Sequence, residues 1–249
     1  MVELTIASFI FVFGILIGSF LNVVIYRIPK GESIVFPSSK CQSCQTSLKW
    51  YHNIPIFSWL FLRGKCAFCS EKISIQYPLI ELATGLLALS LYFKLGLVWN
   101  LIPIFALFTL LLALVMIDFK YMAIPDSLNL LALALAIITP TILESIQDAL
   151  LAVGGATLLR YYLSYFLNRE AMGEGDIIVA GTMGALLGFP LFFYATFLSA
   201  ILGIIPSLIA TFTREDKAIP FVPFLIIATF IVYIFDTQTN AIVESIIYG

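Results

Sequence analysis

From Ile177 to Phe212 the chain runs 36 residues without a charged side chain. As one helix rising about 1.5 Å per residue, it would be far longer than the roughly 30 Å hydrocarbon core of a bilayer. The run must therefore fold back, and Gly188-Phe189-Pro190 is its natural turn. The rest of the chain shares this character. Of its 249 residues 61% are hydrophobic and 11% charged, whereas a soluble domain has about 45–50% and about 25%. Such a chain cannot cover a surface with polar groups. Disorder is excluded on the same ground, and a formal charge of -2 excludes nucleic-acid binding driven by a basic surface. The expected fold is an all-α polytopic membrane protein, with the lipid bilayer as its first partner.

The apolar runs predict about eight transmembrane helices. They lie at 6–25, 79–93, 98–117, 128–139 and 149–167, in the two arms of 177–212, and at 219–235. The first is a poor signal peptide, because Met-Val-Glu is acidic where a signal is basic and no small-residue cleavage site follows. Gly14 and Gly18 lie four apart on it, placed either for close approach of another helix or simply as small residues facing lipid. Residues 27–77 interrupt the pattern with seven basic residues, all four cysteines, the only histidine, and Pro and Gly at turn positions. This divides the chain into a first helix (1–26), a small polar module (27–77) and a membrane-embedded helix bundle (78–249).

The basic residues orient it. If the module faces the cytosol, alternating spans bring Lys120, Arg160, Arg169, Arg214 and Lys217 to the same side, and only Lys94 lies outside. Glu3, Glu144, Asp148, Asp236 and Glu244 then fall opposite. The positive-inside rule thus predicts a cytosolic module and two extracytoplasmic termini.

Cys41-x2-Cys44 and Cys66-x2-Cys69 are two CxxC pairs on turns, 21 residues apart. In a reducing compartment this spacing suits four thiolates on one tetrahedral zinc, structural because no coordination position stays open. His52, between the pairs, is expected to be a surface or hydrogen-bonded histidine rather than a ligand.

Asp118 closes one apolar run and Asp176 opens another. With the topology above, both lie at similar depth near the cytosolic face, where an ionisable group is costly and usually functional. Two neighbouring carboxylates can share a proton, so that one takes a proton from water while the other donates to a scissile peptide. Gly173 and Gly175 flank Glu174 just ahead of Asp176 and would let the backbone approach a substrate strand; a glycine-rich helix start capped by an acid is the other reading. Asp126 is expected to cap the helix it precedes, and Glu174 to be a supporting or solvated acid. Glu81 is a near-membrane acid with no evident partner, and Arg160 is placed to snorkel or to pair with one of these carboxylates.

Several motifs in order resemble the bacterial type IV prepilin peptidases, a leader peptidase/N-methyltransferase family of GxGD aspartic proteases. They are Gly18-Ser19-Phe20-Leu21-Asn22 through Arg27-Ile28-Pro29, Pro37-Ser38-Ser39 before the first CxxC, and Tyr51-His52-Asn53-Ile54-Pro55. Ile73-Ser74 and Tyr77-Pro78-Leu79-Ile80-Glu81 follow the second CxxC, then Asp118 with Ile124-Pro125-Asp126, and Gly173-Glu174-Gly175-Asp176. The resemblance covers nearly the whole chain. It implies cleavage, on the cytosolic face of the inner membrane, of prepilins or pseudopilins whose basic leader ends in Gly. Asp118 and Asp176 would be the catalytic pair, with Gly173, Glu174, Gly175 and Asp126 supporting.

It also implies S-adenosylmethionine-dependent methylation of the new N-terminal amine, but no Gly-rich fingerprint names the cofactor-binding residues. Many members carry lysine two positions after the second aspartate, where this chain has Ile178. Three alternatives stay open: a member with protease activity only, a proton- or ion-coupled transporter using the two aspartates, and an inactive scaffold that keeps the zinc module for assembly.

Overall fold

The computed structural model describes residues 2–139, 141–168, 170, 172–213, 220–239 and 241. Among them the chain is helical and has no strand beyond two isolated bridges. The helices are α1 (Val2–Arg27), α2 (Phe57–Phe61), α3 (Gln76–Leu95), α4 (Leu101–Tyr121), α5 (Asp126–Ile138), α6 (Ile142–Leu167), α7 (Glu174–Leu187), α8 (Phe189–Thr213) and α9 (Val222–Ile234). Eight of these, all but the short α2, carry the expected apolar runs. Five contain stretches long and apolar enough to cross a membrane: α1, α3, α4, α6 and α8. At 13 or 14 residues, α5, α7 and α9 reach only about 20 Å. Eight apolar helices are therefore not eight full-length spans.

The expected boundaries differ most at α6, which starts at Ile142 rather than Ala149. Thr141 donates a hydrogen bond to the Glu144 carboxylate at its head, and the added turns carry exposed polar residues that an apolar-run criterion passes over. The turn at residue 188 matches expectation: Gly188 ends α7 at φ 78, and α8 begins at once. The 214–217 loop, Arg169, Pro140 and the C-terminal residues from 242 lie outside the described residues, so the orientation expected for them has no structural counterpart.

The chain divides into two compact units, Met1–Leu101 and Ile102–Gly249. The first joins α1, the 27–75 segment and α3. Its helices meet through glycine: a Cβ at Gly14 would stand 2.8 Å from Ala88 Cβ, and one at Gly18 would stand 2.7 Å from the Cα of Glu81. The close-approach reading of these two glycines is thus the one the fold adopts. Large apolar side chains point away from this seam, Leu4, Phe9, Phe13 and Phe20 all being exposed. In lipid, close backbone contact through small residues is what holds helices together.

The second unit is built around α7, whose residues from Val179 to Leu187 are all buried. Gly181 meets Val153 and Gly184 meets Ala152, each at a distance a Cβ could not tolerate. Buried Ala132 and Ala136 on α5, and Ala149, Ala152 and Ala156 on α6, continue the small-residue pattern. On α4, Phe108 packs edge-on to Phe230 and at a tilt to Tyr233, both of α9, at 5.3 Å between ring centroids.

Candidate active site and metal centre

Asp118 lies in the last turn of α4 and Asp176 in the first turn of α7, and their charges interact. Asp118 is 5% exposed. The Val222 N–H at the head of α9 hydrogen-bonds to its carboxylate, while its Oδ2 is buried without a partner among the described residues. An uncompensated carboxylate oxygen in such a place costs free energy that function commonly explains. Asp176 is half-buried and accepts the Gly173 N–H at 2.9 Å through Oδ2. It therefore caps its own helix, folding back by three residues onto an N–H that no helical carbonyl can reach.

The glycines around Asp176 match the second of the two readings, a glycine-rich helix start capped by an acid. Gly173 has ordinary extended backbone, φ -71 and ψ 156, and a Cβ there would stand 3.3 Å from Asp176 Oδ2. Gly175 is inside the helix, and the space a side chain would need is filled by Ile124, 2.6 Å from an ideal Cβ. Gly175 thus lets the α4–α5 turn pack against α7.

Asp126 is the first residue of α5, with Pro125 at the cap position and no side-chain capping bond. The expected cap is absent because the carboxylate already belongs to the first turn, where it interacts with the helix dipole instead. Glu174 is exposed and pairs with Arg160 Nη1 at 3.6 Å, and Glu170 stands 4.0 Å from Nη2. Arg160 also acts electrostatically on Asp176, so α6 supplies a positive charge near that aspartate, where Ile178 supplies none.

One residue escaped the sequence reading. Asn129 on α5 is fully buried and donates from Nδ2 to the Gly175 carbonyl at 2.9 Å. The signal was available: an amide one position into an apolar run must find a partner once buried.

The four cysteines are free thiols whose Sγ atoms all lie within 4.8 Å of one another. Cys41 and Cys69 are 3.9 Å apart, and thiolates about 2.3 Å from a tetrahedral ion would stand about 3.8 Å apart. The two CxxC turns repeat each other. The Gln45 and Ser70 N–H groups return to the Cys41 and Cys66 carbonyls, each at 3.0 Å. Both residues have positive φ, 56 and 60, and an isolated bridge closes each turn.

Hydrogen bonds with Thr46 bring Cys44 down to about 6. The Glu71 backbone draws Cys69 down as well, but desolvation and the neighbouring thiols outweigh it and push Cys69 up to about 12. Four clustered thiols resist ionising together unless a cation compensates them, so the donor set fits a metal ion. His52 stands apart from this cluster; its ring packs edge-on to Tyr51 and Phe68.

Residues 12–95 match the bacterial peptidase A24 N-terminal domain, and residues 105–208 match the type IV leader peptidase family. A protein of Stutzerimonas stutzeri named prepilin leader peptidase/N-methyltransferase is 34% identical over 262 residues, covering 92% of this chain and 91% of its own. The chain belongs to the type IV leader peptidase family. Relatives of the same name occur in Neisseria gonorrhoeae, 33% identical over 89% of this chain and 88% of the relative, and in Myxococcus xanthus, 40% identical over 82% of this chain and 64% of the relative. No solved structure matches the chain. With membership of this family and several helices of span length, it is a multi-pass membrane protein.

Gly175→Ala should lower the thermal unfolding midpoint of the detergent-purified protein, since its Cβ collides with Ile124 and overpacking costs about 1–3 kcal/mol. Ile124→Ala should recover part of that loss in the double variant. Equal midpoints for wild type and Gly175→Ala would show that the contact is not what requires glycine.

Proposed function

We propose that the chain cleaves the leader of type IV prepilins or pseudopilins at the cytosolic face of the bacterial inner membrane, with Asp118 and Asp176 as the catalytic pair. The observation that carries this is the approach of two carboxylates from opposite helix ends, α4 and α7, one of them buried with an unpartnered oxygen. An ionised carboxylate draws a proton from water as the water attacks the scissile carbonyl, and its protonated partner donates to the leaving amine. Gly173 supports the pair by fixing Asp176 through its N–H, Gly175 by admitting Ile124, and Asn129 by holding the Gly175 carbonyl. Glu174 anchors Arg160 beside the site, and Asp126 stabilises the start of α5. Family membership supports a basic, Gly-ending leader as the feature recognised.

Asp118→Asn and Asp176→Asn should each reduce cleavage of a prepilin peptide by about 10^2–10^4-fold. The double variant should be little worse, since the pair works as one unit. Asp126→Asn should stay within about twofold, losing only a dipole interaction of about 0.3–1 kcal/mol. Near-normal cleavage by membrane-inserted Asp176→Asn would remove it from the pair and favour a transporter using these acids.

The relatives' names also support methylation of the newly exposed N-terminus, with S-adenosylmethionine as the donor of an electrophilic methyl group. Cleavage without methylation of a processed peptide would leave a protease-only member. In this reading residues 1–26 anchor the chain, 27–77 form the metal module and 78–249 supply the protease bundle.

Cys41, Cys44, Cys66 and Cys69 would hold one structural zinc, whose chemistry is to clamp two turns together. Gently purified protein should contain about one zinc per chain, and Cys41→Ser protein much less. Metal-free protein with an unchanged thermal midpoint would refute the clamp.

The distribution of Lys and Arg supports a cytosolic module and extracytoplasmic termini. A single cysteine introduced near Lys94 should react with an impermeant thiol reagent applied to intact cells, and one at Lys30 should not. The reverse pattern would overturn the orientation.

A further inference from the structure

The α1–α3 seam of the first unit holds a second set of buried polar groups that peptide cleavage does not use. Gly18 brings the two backbones to contact at Glu81. One turn further along α1, Asn22 is 3% exposed and donates from Nδ2 to the Tyr77 carbonyl at 3.1 Å and to the Gly18 carbonyl at 3.3 Å. Both partners are acceptors, which fixes the amide orientation. It leaves Asn22 Oδ1 buried and, among the described residues, unpartnered. Tyr77 lies one turn before Glu81 on α3, so Asn22 and Glu81 share one face of the seam.

Glu81 is 7% exposed. Its Oε2 accepts the Ile56 N–H at 2.7 Å, and the Ser19 hydroxyl bonds to the same carboxylate. Among the described residues no basic side chain is one of the groups acting on it. The unit's buried arginine, Arg27, is engaged elsewhere: its guanidinium donates to the Ser33 and Pro37 carbonyls, each at 2.8 Å. The seam therefore collects acceptor capacity, namely an amide oxygen with no donor and a carboxylate with lone pairs to spare, in a place poor in water. A primary ammonium complements such a set, since it carries one positive charge and three N–H donors and no acceptor. Ile56, which donates this N–H, has φ 61 and ψ -54, an unfavourable conformation for a β-branched residue, and Glu81 holds its turn against the seam.

We propose that Glu81 and Asn22, with Ser19 orienting the carboxylate, form a binding site for an α-ammonium group, and that its occupant is the free N-terminus of the processed pilin. This rests on the methylation reading above and gives it a location. The methyl donor also bears an α-ammonium, but it carries a carboxylate on the same carbon, which Glu81 would repel; the peptide's first residue carries none.

The test uses the full-length protein in nanodiscs with three ligands: a processed pilin peptide with a free N-terminus, the same peptide N-acetylated, and S-adenosylhomocysteine. Wild type should bind the free-amine peptide at least about tenfold more tightly than the acetylated one, as expected when a charge-assisted bond is lost. Glu81→Gln can still accept from Ile56 and should abolish that preference while keeping leader cleavage within about twofold. Asn22→Leu should weaken it. If Glu81→Gln instead loses affinity for S-adenosylhomocysteine and keeps the peptide preference, the ammonium site stands with the methyl donor as its occupant. If neither ligand responds, the proposal fails and Glu81 serves only to hold the Ile56 turn. Binding is read without methyl transfer, so a wild type that binds the free amine selectively but never methylates would overturn the methylation reading and leave the site standing.

Discussion

In lipid a helix gains little from exchanging hydrocarbon for another apolar helix, so contact depends on how closely two backbones can approach. Several of the buried polar groups in this protein are arranged around that constraint. Gly14, Gly18 and Gly85 draw α1 and α3 together, and Gly181 and Gly184 draw α7 onto α6. Glycine at these points removes the side chain that would hold the backbones apart, and polar groups follow where the backbones meet. Asn22 and Glu81 lie beside Gly18, while Asn129 and Asp176 lie beside Gly175. Away from the seams, large apolar residues such as Phe9, Phe13 and Phe197 are exposed, as a lipid-facing surface requires.

The aspartate pair uses the two kinds of helix end differently. Asp176 satisfies a free N–H of its own first turn, so its placement is favourable even without chemistry. Asp118 has no such return. It sits at the far end of a long helix where, among the described residues, one oxygen is unpartnered and the Val222 N–H compensates it. The capping reading and the catalytic reading of Asp176 are therefore compatible. Asp118 is the residue whose burial asks for a functional reason.

Hydrophobic runs made the apolar helices legible from sequence, because a bilayer permits few alternatives for segments such as 98–117, but they did not show that α5, α7 and α9 fall short of a full span. The two CxxC pairs were legible because thiolate geometry demands that spacing, and the two aspartates because charge is rare in such a chain. Glycine was harder. Gly175 in a Gly-x-Gly-Asp motif suggested an open backbone, yet its space is taken by Ile124, a residue about fifty positions away that nothing local could identify. Asp126 showed a similar limit, since a shift of one residue separates a helix cap from a first-turn acid. Asn129 was visible only as an isolated amide in an apolar run, and Asn22 as the last residue of the Gly18–Asn22 motif. Their partners on other helices are backbone carbonyls, and a carbonyl leaves no mark in a sequence.

The 27–75 segment gains a further meaning from its connections to the α1–α3 seam. It is tied down by Arg27 to the Ser33 and Pro37 carbonyls, by the Trp59 indole to the Ile73 carbonyl, and by the Ile56 N–H to Glu81. Ile56 falls between the two CxxC turns, in the stretch that joining Cys44 to Cys66 would close into a loop. Fixing the ends of that stretch lowers the entropy it must lose to present Ile56. The cysteine cluster need not touch a ligand to matter. A metal held by the cysteine cluster would close this loop and so restrict the turn that Glu81 holds, which would make the proposed clamp and the proposed ammonium site one mechanical unit.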